Sequence, residues 1–165
     1  TQELGMSSAE ALSKGGGVLA ISYMASLLSA PIFGIMSDRI KRTSALAITL
    51  LIGAVGYGST FFLQDPFSVA TIACLILIGM AEVGCIITSG VLIAEQAPDR
   101  LRGSIVGLFT LCGAVGILVA SIVGGYLFDH WMKTGPFVFF GAISALVLVW
   151  TLALQFRHPD TAPST

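Results

Sequence analysis

The chain has 165 residues, 55% of them hydrophobic and 10% charged, with a net charge of −1 and a pI near 6.0. Soluble domains carry about 25% charged residues, so this composition excludes an ordinary water-soluble domain and points to a bilayer as solvent. No basic footprint for nucleic acid is present, and Cys74, Cys85 and Cys112 all fall in apolar stretches, which argues against a disulfide framework or a zinc site.

Charge-free runs predict five transmembrane helices over 15–37, 43–64, 66–94, 103–128 and 134–156. Roughly 20 residues at 1.5 Å rise cross a ~30 Å hydrocarbon core, and runs without strict alternation are helices rather than barrel strands. The expected fold is therefore an all-α, polytopic transmembrane helical bundle. Residues 1–13 are expected to form an extracytoplasmic segment and helix start, and 157–165 a short polar tail containing His158.

In chain order, Ser7-Ser8-Ala9-Glu10 reads as a capping box, so the first helix is expected to start near Ser8. Pro31 predicts a kink in it. Ser22, Ser26 and Ser29 recur at helical spacing, with Tyr23 beside them. This polar stripe can contact a substrate or hydrogen-bond to an adjacent helix. Asp65 and Pro66 read as N-cap and first turn of the third helix, and Gly135-Pro136 as the same for the fifth. The fourth helix carries Gly103 and Gly107 four residues apart, and then Gly116, Ala120 and Gly124 in four-residue steps. Small residues so spaced allow close helix packing, static or sliding. Asp129, His130 and Trp131 close that helix, with Trp131 as an interfacial anchor.

Six of the eight basic residues (Arg39, Lys41, Arg42, Arg100, Arg102 and Arg157) lie in the first and third connections and the tail. Only Lys14 and Lys133 lie on the other side. The excess places those connections and the C-terminus in the cytoplasm, with the protein in a plasma or inner membrane. An odd number of spans, in a chain that begins with Thr1, leads to the expectation that further helices precede this segment.

The first connection reads Gly34-Ile35-Met36-Ser37-Asp38-Arg39-Ile40-Lys41-Arg42. It resembles the signature loop of the major facilitator superfamily: a Gly, three residues, Asp-Arg, one residue, a second Gly, then basic residues. Lys41 stands where the second Gly is usual, as in the weaker copy between the eighth and ninth helices. The third connection, Glu95-Gln96-Ala97-Pro98-Asp99-Arg100-Leu101-Arg102-Gly103, is similar to the family's loop between the tenth and eleventh helices. With five spans correctly spaced around both loops, the resemblance covers nearly the whole chain.

The resemblance implies the C-terminal half of a secondary transporter, helices eight to twelve, completed by an N-terminal half of the same chain. It implies a third helix lining the central cavity, flanked by the first and fourth, with the second and fifth peripheral. It also implies that Asp38 pairs with an Arg across the bundle and that Glu95 reaches Arg39 or Arg42. Such pairs form when the inner mouth is closed and break when it opens. The bland alternative is that these charges only set topology and stay solvated.

Glu82 interrupts the third span about 14 residues in, or roughly 21 Å along a helix, past halfway toward the cytoplasmic side. A charge at such depth costs about 2.5–3.5 kcal/mol on insertion scales and usually faces a water-filled cavity or ion path. Low dielectric favours the protonated carboxyl, so Glu82 is a candidate proton carrier, or the acceptor of a cationic group on a substrate. Its alternative role is a protonated packing hydrogen bond to a neighbouring helix.

The expected function is secondary active transport of a small solute by alternating access, coupled to protons or another ion. The competing class is a membrane scaffold or sensor that retains the fold. No Gly-x4-Gly-Lys phosphate loop and no nucleophile–base or metal cluster falls within the spans. An enzyme, a cofactor and a metal are therefore not expected; lipid and a small-molecule substrate are the expected partners.

Overall fold

The computed structural model describes residues 7–63, 65 and 67–157. It is all-helical: α1 (Ser8–Arg39), α2 (Arg42–Ser59), α3 (Val69–Gln96), α4 (Arg102–His130) and α5 (Gly135–Arg157), with a 3-10 turn at Thr60–Phe62 after α2. All five helices are long and apolar enough to cross a membrane. The expected tail, with His158, and Pro66 lie outside the described residues.

Most helices run past the charge-free stretches that marked them. Charge marks where lipid tails give way to headgroups, not where backbone hydrogen bonding stops. Thus α1 begins at Ser8, where the Ser7 hydroxyl accepts from the Glu10 amide at 3.2 Å, and Glu10 pairs with Lys14 at 3.1 Å. The helix runs on through Pro31 and includes Asp38 and Arg39.

The third helix corrects its expected start. Ser68, not Asp65, is the N-cap of α3, its hydroxyl accepting from the Thr71 amide at 3.2 Å. Asp65 instead closes a turn ahead of the helix. Its carboxylate accepts from the Phe67 amide at 2.9 Å and its carbonyl accepts from the Thr71 hydroxyl at 2.6 Å. In the fifth helix, Gly135 is itself the first helical residue.

In the bundle, α3 packs against α1 on one side and α2 on the other, and α5 packs against α2. Helix α4 touches α3 and α5 only lightly and buries no residue. The second helix, expected at the periphery, is therefore the best buried of the five within this bundle. It is sandwiched between α3 and α5, whereas α1 and α4 each leave broad apolar faces uncovered, as at Leu27, Leu28, Ile117 and Leu118.

Glycines set the seams. A Cβ on Gly79 of α3 would lie 2.7 Å from the Ser22 and Ser26 hydroxyls and 2.8 Å from the Ser22 carbonyl. A Cβ on Gly84 would lie 2.6 Å from the Thr49 methyl and 3.1 Å from the Phe33 ring. Gly56 lies against Ile78 across α2–α3, and Gly141 against Tyr57 and Gly58 across α2–α5. Close backbone approach without side chains gives dispersion contacts that lipid cannot match.

The small-residue stripe of α4 does not serve this purpose among the described residues. Nothing lies within 4 Å of a Cβ on Gly103, Gly107 or Gly116, and only Gly124 has neighbours, Pro136 and Phe140 at 3.7 and 4.0 Å. Apart from the contact of Gly124 with α5, the glycines of that stripe meet no other helix among the described residues.

Candidate functional site

Two places collect the chain's polar chemistry. One is the end of the bundle where the first and third connections meet. Arg42, the first residue of α2, directs its fork at Glu95 near the end of α3: Nε donates to both carboxylate oxygens at 3.0 Å and Nη2 donates to Oε1 at 2.6 Å. Its Nη1 donates to Asp38 Oδ1 at 3.2 Å and lies 3.5 Å from the hydroxyl of the fully buried Ser37. One guanidinium thus ties the ends of α1, α2 and α3 together, which the point charge of a lysine cannot reproduce.

Of the two arginines expected to meet Glu95, Arg42 is the partner. Asp38 does not pair across the bundle among the described residues; its partner is also Arg42, four residues on in its own connection. Arg42 lies within reach of Asp38 across the short turn at Ile40 and Lys41 between α1 and α2, so the local pair forms without a distant arginine. Arg102 pairs with Asp99 at 2.9 Å, while Arg39 and Arg100 are exposed and make no ion pair among the described residues. Gly34 and Gly103 have open space where a side chain would be. The Arg42–Glu95 contact also shows that the first and third connections share one end of the bundle.

The second place is Glu82. It lies midway along α3, because the helix starts later and ends later than the charge-free run. Its side chain is exposed within this bundle and faces a cavity of about 410 Å³. The Tyr57 hydroxyl of α2 donates to Glu82 Oε1 at 2.5 Å. The Tyr57 ring is 6.4 Å from Phe137 and 6.2 Å from Phe140 of α5, centre to centre. The opposite wall is α4, through Ile117, Ala120, Ser121, Gly124 and Gly125.

Tyr57 and Phe140 were not singled out in the sequence. Their approach to Glu82 depends on how α2, α3 and α5 are rotated, and no local spacing signals it. The only available cue was that a tyrosine within an apolar span needs a hydrogen-bond partner.

The serine stripe is not at this cavity. Ser22 donates to the Leu75 carbonyl of α3 at 2.8 Å, Ser26 to the Ser22 carbonyl at 3.1 Å and Ser29 to the Ser26 carbonyl at 3.0 Å. Ser29 is buried. Of these hydroxyls only Ser22 bonds across to another helix; Ser26 and Ser29 bond back to α1 itself, and Ser22 and Ser26 lie against Gly79 at the α1–α3 seam. Ser22→Ala is accordingly expected to cost about 0.6 kcal/mol, the typical value of one such bond in a membrane. A small drop in the melting temperature of the full-length protein with unchanged transport would agree; lost transport with an intact fold would return the serines to the substrate site.

Residues 1–165 match the sequence model of the Major Facilitator Superfamily. The chain is 29% identical over 150 residues to the magnetosome protein MamH of Paramagnetospirillum magneticum, covering 91% of this chain and 35% of that protein. It is 30% identical over 140 residues to the magnetosome protein MamZ of Magnetospirillum gryphiswaldense, covering 83% and 21%. It is also 30% identical over 157 residues to the multidrug resistance protein MdtG of Yersinia enterocolitica, covering 90% and 36%. The chain thus spans about a third or less of the length of these curated relatives. No solved structure matches.

Proposed function

The chain belongs to the major facilitator superfamily, and from that premise we propose that it forms part of a secondary transporter moving a small solute by alternating access, coupled to protons or another ion. It is a multi-pass membrane protein of a transporter family. One observation carries the proposal: a lone carboxyl at the middle of a membrane helix, open to a cavity between four helices. An ionisable group at that depth is costly unless it serves a pathway.

Charge provides the second support. The Asp38–Arg42–Glu95 cluster joins three helix ends through one side chain, so loss of a single geometry frees all three. In this proposal the cluster holds the inner mouth closed, and its rupture accompanies opening. Arg39 and Arg100, exposed at the same end, are available to the remainder of the transporter. The basic excess at that end supports a cytoplasmic location for it and for the C-terminus, in a cell or inner membrane.

The test is solute accumulation in proteoliposomes containing the full-length protein, with and without an imposed proton gradient. Gradient-driven uptake is the expected result; a scaffold or sensor would move nothing. Within the same assay, Asp38→Asn and Arg42→Lys are expected to slow transport severalfold with normal membrane insertion. Arg42→Lys keeps the topogenic charge but loses the fork. Wild-type rates in both variants would reduce the cluster to a topology signal.

A further inference from the structure

Resting on the placement of Glu82 in the transport pathway, we infer that the cavity between α2, α3, α4 and α5 binds a monovalent organic cation with an aromatic or similarly flat apolar body.

The lining supplies one negative group and no positive one. Glu82 is the single charged residue on the wall, and none of its cavity neighbours is Lys, Arg or His. The Tyr57 hydroxyl occupies one carboxylate oxygen. The other oxygen has no hydrogen-bond partner among the described residues, and the side chain is open to the cavity. A carboxylate oxygen left without a partner favours a single positive charge.

The rings define the body of the ligand. Tyr57 and Phe140 line the same cavity as the carboxylate, and the Tyr57 ring also neighbours Phe137. Aromatic faces attract a desolvated cation and stack on a flat apolar group. From α4, Ala120, Gly124 and Gly125 line the rest of the wall; a Cβ on Gly125 would have nothing within 4 Å, whereas one on Gly124 would already lie 4.0 Å from the Phe140 ring. The volume of about 410 Å³ lies in the range of small-molecule sites.

The same lining disfavours other classes. An anion meets the carboxylate with no compensating cation. A divalent metal ion needs several oxygen ligands, and no second acid is present on the wall. A sugar or other polyhydroxyl solute finds few partners, because the Ser121 hydroxyl already donates to the Ile117 carbonyl at 2.8 Å.

The experiment uses full-length protein in detergent, with tetraphenylphosphonium as the probe and tetraphenylborate as a competitor of the same shape and opposite charge. Saturable tetraphenylphosphonium binding is expected, weakened about tenfold or more by Glu82→Gln and severalfold by Phe140→Leu, with no competition by tetraphenylborate. Thermal melts of the same samples show that the variants are folded. Absent saturable binding, wild-type affinity in Glu82→Gln, or equal competition by the anion would each overturn the cation site. Binding in detergent requires no translocation, so the two claims fail separately. Glu82-dependent accumulation of another solute without cation binding removes only this site. Glu82-dependent cation binding in a protein that moves nothing removes only the transport function.

Discussion

Glu82→Gln in the full-length protein is expected to abolish uphill solute accumulation, by about tenfold or more, while the protein still inserts and folds. The glutamine carbonyl retains an acceptor for the Tyr57 hydroxyl, so the α2–α3 contact at this depth survives. What is lost is the ability to carry a charge. A charge-assisted interaction is worth about 1.5–3 kcal/mol, or tenfold and upward in a rate or affinity that depends on it. Removing a charge from mid-membrane also lowers the cost of insertion, so the melting temperature should hold or rise.

Two assays on this variant separate the possible duties of the carboxyl. If Glu82 carries only the coupling proton, exchange of solute down its own gradient persists while accumulation against it fails. If Glu82 also holds a cationic solute, exchange fails too, in step with the loss of tetraphenylphosphonium binding. Accumulation at the wild-type rate would show that Glu82 does neither, leaving its pairing with Tyr57 as packing.

The second large effect is structural. Gly79→Val is expected to prevent correct assembly of α1 on α3. Even the first added carbon would sit 2.7–2.8 Å from the Ser22 and Ser26 hydroxyls and the Ser22 carbonyl. Backbone on the far side cannot rotate away, so the helices must separate. Separation breaks the Ser22–Leu75 hydrogen bond and opens the seam at Phe33 and Gly84. Overpacking of this kind costs about 1–3 kcal/mol, and loss of the seam adds to it. In fluorescence-detected size exclusion, the expected result is a loss of the monodisperse peak, or a melting temperature lowered by several degrees. Gly79→Ala should show the same direction to a lesser degree. A Gly79→Val protein that melts like the wild type would show that α1 and α3 do not approach as described.

Several features were legible from residue order alone. Five spans, the all-helical class and the start of α1 at Ser8 follow from charge-free runs and a capping box. The transfer free energy of an apolar run is local and adds residue by residue. The loops around Asp38 and Glu95 were legible for a different reason: their charged residues are contiguous, and the Glu95–Arg42 pair was one of two expected from the resemblance. Glu82 stood out because a single charge in a long apolar run is conspicuous wherever the helix points.

Other features were settled by the way the helices meet. Whether Ser22, Ser26 and Ser29 face a substrate or another helix depends on the rotation of α1, and it is Gly79 of α3, more than 50 residues away in the chain, that lies against Ser22 and Ser26. The small residues that close the seams are Gly53, Gly56, Gly79, Gly84 and Gly141, whereas of the α4 glycines at four-residue spacing only Gly124 meets another helix. Tyr57 and Phe140 join Glu82 only once α2, α3 and α5 are side by side. Membrane partition energy depends on composition and is nearly blind to rotation about the helix axis. Seams, ion pairs and cavities depend on that rotation, and only contact between helices sets it.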